Sequence, residues 1–274
     1  MKVQYFGDRG RRLFGILEAP PQGARAGLVF CPPFGDEMLT TYARLARWSK
    51  QLANSGIAVL RFHPYGTGES GGSFADFHVE GALQDTATAI RYLRHQIGAK
   101  PLGLFGVRFG GFLAAQTAIR VSADFLLLWS PVVKLRPYLR ELLRTRLTAE
   151  AIHLQATQVT FTTQNMVDDF EAGRSVDILG YEFSPALYHH MTKEEFSWPE
   201  APNARNVLLL SRSSERSSVA SLPQKWTTGE TTALKVVADL PFWENYSSVF
   251  PQGFADSSQS WLDQTLTHGI EKHD

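Results

Sequence analysis

Eight residues in the middle of the chain, Leu104-Phe-Gly-Val-Arg-Phe-Gly-Gly111, restrict its architecture more than any other stretch. The apolar run Pro101–Phe105 reads as a buried strand, and the segment from Phe109 to about Arg120 reads as a helix. Only a glycine-flanked turn joins them. Glycine lacks a Cβ and tolerates positive φ, so such a turn can be tighter than side chains allow. The residue at its centre, Arg108, is then held at the carboxyl end of a sheet, over the crevice where open α/β folds bind ligands.

The flanking sequence repeats this strand–helix rhythm. Val3–Phe6 and Leu13–Leu17 surround the turn Gly7-Asp-Arg-Gly10 and predict a hairpin. Gly27–Cys31 predicts a strand buried on both faces, followed by a helix from Met38 to Asn54. Next come a strand at Ile57–Phe62, a helix from Val79 to Ile97 and, after the central turn, a strand at Phe125–Trp129. Short connections between alternating elements predict a mostly parallel sheet with helices on both faces. The rhythm stops between Pro131 and Asn206, where the sequence is helical and irregular. It resumes with strands at Val207–Ser211 and Ala233–Ala238 and a helix at Ser257–Leu266. An interruption of about 70 residues is far longer than an ordinary connection and reads as an inserted helical cap. The expected division is a core of residues 1–133 and 206–274 with a cap at 134–205.

Composition excludes several classes of partner. Lys+Arg and Asp+Glu number 27 each, which gives no electrostatic case for nucleic acid. No run of roughly 18 apolar residues predicts a membrane span, and the start of the chain lacks the apolar stretch of a signal peptide. The lone cysteine, Cys31, fits a reducing compartment, so the expected location is cytoplasmic. Gly66-Thr-Gly-Glu-Ser-Gly-Gly72 lacks the lysine and the spacing of a phosphate loop. The adjacent pair His189-His190 does not have metal-ligand spacing, and no metal or other cofactor is expected.

A strand, a glycine-flanked turn and a helix form the context of the nucleophile elbow G-x-S-x-G, here Gly106-Val-Arg-Phe-Gly110. Together with Pro33-Phe-Gly-Asp-Glu-Met38, Gly173-Arg-Ser-Val-Asp-Ile-Leu-Gly-Tyr-Glu-Phe-Ser-Pro-Ala-Leu187 and Leu240-Pro-Phe-Trp-Glu244, this segment resembles the α/β-hydrolase-like proteins called exosortase A system-associated hydrolases (type 2). The resemblance implies an α/β-hydrolase fold and a bacterial setting near genes for surface polymers. Its implied activity meets an obstacle at the elbow. A guanidinium keeps its proton at physiological pH and offers no lone pair for attack. The superfamily's histidine belongs in the loop after the last strand, here Asp239–Ser247, which has none. The acid belongs after the preceding strand, where Ser211-Arg-Ser-Ser-Glu215 offers Glu215. A degenerate triad is expected.

The groups expected around the crevice are Arg108, Glu37 and His63 as candidates for chemistry, with Phe34, Asp36, Cys31, Phe109, Glu215 and Trp243 lining it. The superfamily's oxyanion hole uses the N–H after the elbow centre, here Phe109, and one from the loop after the strand that ends near Cys31. Arg108 requires an anion beside it: either Glu37 or Asp36 within the protein, or a ligand carboxylate, phosphate or sulfate. Cys31 reads as an alternative nucleophile or a small packing residue. His63 reads as a general base or a strand-end cap. Lys134–Leu147 is basic and amphipathic, with Leu135, Leu139, Leu142 and Leu143 on one face and Arg136, Arg140, Arg144 and Arg146 elsewhere. It is a solvated face, an anion-attracting entrance or a membrane-surface helix. Two functions stay open: an enzyme acting on an acyl or carboxylate small molecule without a serine (hydrolysis, transfer or lyase chemistry), or an inactive pseudo-hydrolase that binds or scaffolds.

Overall fold

The computed structural model describes residues 1–154, 162–193, 196–215, 219–229, 232–244 and 249–268. Its centre is an eight-stranded sheet in the order β1-β2-β4-β3-β5-β6-β9-β10. β1 (Lys2–Asp8) and β2 (Arg11–Glu18) form an antiparallel hairpin, and β2 pairs antiparallel with β4 (Ile57–Phe62). All other neighbours are parallel: β3 (Ala26–Cys31), β5 (Leu102–Val107), β6 (Ala123–Trp129), β9 (Ala204–Arg212) and β10 (Thr232–Val237).

Period-two alternation sorts the strand side chains into two apolar layers. Val29, Leu104, Leu126, Leu128 and Leu209 face one way, towards α2 (Val79–Ile97) and α3 (Phe109–Ala118). Leu28, Phe30, Phe105, Leu127, Trp129 and Leu208 face the other, towards α1 (Asp36–Asn54) and α7 (Gln252–His268). A mostly parallel sheet with helices on both faces therefore matches the expectation. Every residue of α3 is buried, Gln116 and Thr117 included, so this helix has no single apolar stripe.

Between β6 and β9 lie α4 (Leu135–Leu154), α5 (Thr163–Glu171), a hairpin of β7 (Val176–Ile178) and β8 (Tyr181–Phe183), and α6 (Pro185–Thr192). The hairpin departs from the purely helical and irregular expectation. Leu179 and Gly180, both at positive φ, make its two-residue turn, and three-residue strands are too short to show alternation. Other boundaries also move. α7 begins at Gln252 instead of Ser257, because Pro251 starts it and Phe254 and Ala255 supply a buried first turn. β5 runs on to Val107, since the ladder to β6 continues to the Val107–Trp129 pair. Residues 155–161 and 194–195 of the inserted region lie outside the described residues.

The hairpin is tied to α2 by an ion pair. Arg11 Nε and Nη2 donate to the two carboxylate oxygens of Asp85 at 2.5 and 3.0 Å, and the Tyr65 N–H adds a third bond at 2.9 Å. Asp85 is 1% exposed and Arg11 30%. The asymmetry sets a prediction. Arg11→Ala strands a buried carboxylate and costs about 3 kcal/mol. Asp85→Ala leaves a cation that can turn to water and costs less. Urea denaturation of both variants measures the order, and equal losses would contradict it.

Candidate functional site

The central turn is built by two glycines that no other residue could replace. A Cβ on Gly106 would stand 2.1 Å from the carbonyl carbon and oxygen of Gly110, and one on Gly110 would stand 2.1 Å from the Cys31 carbonyl oxygen. Arg108 between them sits at φ 52, ψ −118. That conformation is costly for a side-chain-bearing residue and concentrates at functional sites. Its backbone is fixed on both sides: its N–H donates to Trp129, and its carbonyl accepts from Gly111, Phe112 and Val132.

The Arg108 side chain is 13% exposed and donates from two of its nitrogens. Nε donates to Glu37 Oε1 at 3.0 Å, and Nη2 donates to Glu141 Oε1 at 2.7 Å. The aromatic rings of Tyr138 and Trp243 lie 5.3 and 5.5 Å from its central carbon, within cation–π range. The Tyr138 hydroxyl donates to Glu37 Oε2 at 3.0 Å. Burial opposes the charge on Arg108, but Glu37, Tyr138 and Glu141 more than offset it and hold the group above its ordinary range. Burial pushes the Glu37 carboxyl up to about 7, although Arg108 and the Tyr138 hydroxyl pull it down. Burial and the adjacent Glu37 raise the Tyr138 hydroxyl further still.

Glu37 lies in the first turn of α1, where the helix dipole favours an anion. Trp243 arrives from the loop after β10, which α1 holds firmly. Thr40 Oγ1 lies 3.0 Å from the Glu37 carbonyl oxygen and 2.8 Å from that of Trp243. Arg44 donates to the Phe242 and Val249 carbonyls at 3.0 Å each. Trp243 belongs to the loop in which the resemblance places a histidine, and Asn245, Tyr246 and Ser247 of that loop lie outside the described residues.

Glu215 follows β9, and with Arg108 it lines a small cavity of about 20 Å³, room for a single water. Its Oε2 accepts from Ser130 Oγ at 2.6 Å and from the Arg212 N–H at 3.0 Å. Ser130 is itself at φ 43. Phe34 and Phe109 touch with ring centres 5.2 Å apart, in a cluster with Phe77 and Phe183. The free space against these rings is only about 10 Å³.

The other expected residues lie elsewhere. Asp36 is near Tyr181, whose hydroxyl is raised by burial and by that carboxylate. Cys31 is buried behind the turn, and burial pushes its thiol far up. His63 accepts the Glu69 N–H at Nδ1 and packs on Phe14 and Tyr42. Burial and then the Arg61 charge lower it to about 4, so its ring is neutral. It lines a separate apolar pocket that Arg108 and Glu37 do not share. Among the described residues no cluster of His, Cys, Asp or Glu is suited to a metal. No described helix is long and apolar enough to cross a membrane.

Sequence reasoning missed Tyr138, Glu141, Ser130 and Arg44. One available signal was the three-residue step from Tyr138 to Glu141, which puts both on one face of α4.

Glu37 carries a prediction. Its folded carboxyl lies above the ordinary 4.5, so it binds a proton more tightly folded than unfolded. The resulting stability is full below about 4.5 and is lost as pH rises to about 7. The stability of the native protein minus that of Glu37→Gln should therefore fall between pH 4.5 and 7 and flatten above, as chemical denaturation across pH will read. A difference that rises across this window would refute the assignment.

Several known structures share this architecture. The ferulic acid complex of Est1E from Butyrivibrio proteoclasticus superposes with TM-score 0.66 at 16% identity, covering 96% of this chain and 99% of that one. XC6422 from Xanthomonas campestris, an α/β serine hydrolase without lid, gives 0.56 at 16% identity, covering 99% and 94%. Mouse alpha/beta hydrolase domain-containing protein 10 gives 0.60 at 13% identity, covering 96% and 99%. At such identities the likeness concerns the fold. No curated protein matches the sequence. The profile of the family described as serine aminopeptidase, S33 (Hydrolase_4), matches residues 23–177, and with the sheet and the elbow it establishes that the chain belongs to this family of α/β-hydrolases.

Proposed function

We propose that the chain has exchanged serine catalysis for a charge lock, and that it works as a non-catalytic binding protein on a hydrolase scaffold. The observation that carries this reading is the closed pair of Arg108 with Glu37 at the elbow, sealed by Tyr138, Glu141 and Trp243. A reacting centre needs a nucleophile, a base and space for substrate. Here the nucleophile position holds a cation, the loop of the base holds an indole, and the cavity admits one water. In this reading residues 134–205 act as a cap: α4 sends Tyr138 and Glu141 over the elbow. The bacterial and cytoplasmic setting, and the tie to the exosortase-associated type, belong to the same proposal.

One observation favours a second reading. Glu37 has a carboxyl pushed up to about 7, well placed for proton exchange near neutrality. Glu141 is 52% exposed, so its bond to Arg108 is weak, about 1 kcal/mol or less. An acyl ligand bearing a carboxylate could displace Glu141 and meet Arg108 with Glu37 as acid or base.

A fluorophosphonate probe and a p-nitrophenyl ester decide between these. The expected result is no labelling and hydrolysis at the rate of buffer, for the native protein and for Arg108→Ser alike, since a serine beside Trp243 has no imidazole to activate it. Ester turnover lost in Glu37→Gln would establish the second reading. Labelling lost in Ser130→Ala would give the nucleophile's role to Ser130 and overturn both.

A further inference from the structure

The face of α4 that turns away from the elbow carries Arg136, Arg140 and Arg144, spaced four residues apart and therefore about 6 Å apart along the helix. They border a cleft of about 550 Å³ between α4, α5 and α6. Its floor is apolar: Leu139, Leu143 and Val167, with the ring of Tyr188 stacked on Phe170 at 4.7 Å. Like charges at this spacing repel one another, and a solvated helix face normally interleaves acids among them. Here the acids are committed elsewhere. Glu141 turns to Arg108, and Glu150 pairs with Arg146 at 3.9 Å. Arg136 reaches the Thr192 carbonyl at 2.8 Å. Among the described residues, Arg140 and Arg144 have no carboxylate within ion-pair distance, and Glu171, near the Tyr188 hydroxyl, is the one acid lining the cleft. The seven residues that follow α4, from Gln155 to Phe161, contain no acid in sequence.

We propose that this cleft binds a soluble amphiphile with a phosphate head, the head gripped by Arg140 and Arg144 and the apolar part lying over Leu143, Val167 and Tyr188. Guanidinium groups match phosphate oxygens two at a time, which suits a phosphate better than a single ammonium would. The volume is that of a small-molecule site, and the lining is mixed, with Thr163, Gln164 and Thr192 joining the arginines around the apolar floor. The chain as a whole is neutral, so this local excess is a property of the cleft. The site is separate from the elbow and stands whether or not the elbow is catalytic.

Calorimetric titration with octyl phosphate, inorganic phosphate and octyl glucoside tests it. Octyl phosphate should bind at least tenfold more tightly than either of the others, and Arg140→Ala/Arg144→Ala should weaken it at least tenfold. Val167→Ser should weaken octyl phosphate and leave inorganic phosphate unchanged. Hydrogen exchange of the native protein with octyl phosphate gives a readout independent of variants, with protection expected at residues 139–144 and 163–171. Equal binding of octyl glucoside, retention in the double variant, protection centred on the elbow, or capture by phosphatidic acid vesicles without binding of monomeric octyl phosphate would each overturn the proposal.

Discussion

A backbone contact underlies everything else in this molecule. Gly106 and Gly110 bring the end of β5, the start of α3 and the carbonyl of Cys31 so close together that a single methyl group on either glycine would overlap main-chain atoms. That contact fixes where the chain turns and so fixes the direction in which residue 108 projects. It also packs α3, buried on every side, against the sheet. A turn this constrained stores strain that the surrounding ladder must absorb, and the bond from the Arg108 N–H to Trp129 is part of that absorption.

Once the direction is fixed, the identity of residue 108 dictates its neighbours. A buried guanidinium cannot shed its proton, so the protein must bring anions to it. Glu37 comes from the start of α1, Glu141 from α4, and two aromatic faces complete the enclosure. The same groups pack around the elbow, where Arg108, Ser130 and Glu215 line a cavity of about 20 Å³.

How far the sequence disclosed this depends on the range of the signal. The sheet and most helices were legible because apolar periodicity and glycine placement are local properties: Gly27–Cys31, Ile57–Phe62 and Phe109 onward fall close to the observed elements. The need for an anion beside Arg108, with Glu37 among the candidates, followed from electrostatics alone. The remainder was set by long-range packing. His63 looks poised by position in the chain, yet the Glu69 N–H and the rings of Phe14 and Tyr42 draw it away. Tyr138 and Glu141 became site residues only because α4 folds back over the elbow, an approach that no spacing in the sequence announces. Ser130 was invisible for a similar reason: its bond to Glu215 spans 85 residues.

α4 serves two surfaces at once. Tyr138 and Glu141 look inward to the elbow, while Arg140 and Arg144 border the outer cleft, and successive residues on a helix differ by about 100° in direction. Any rotation or slide that improved one surface would swing the other out of register. The helix is thus a rigid bar between two surfaces that share no atoms, and a displacement at one end of its contacts is felt at the other.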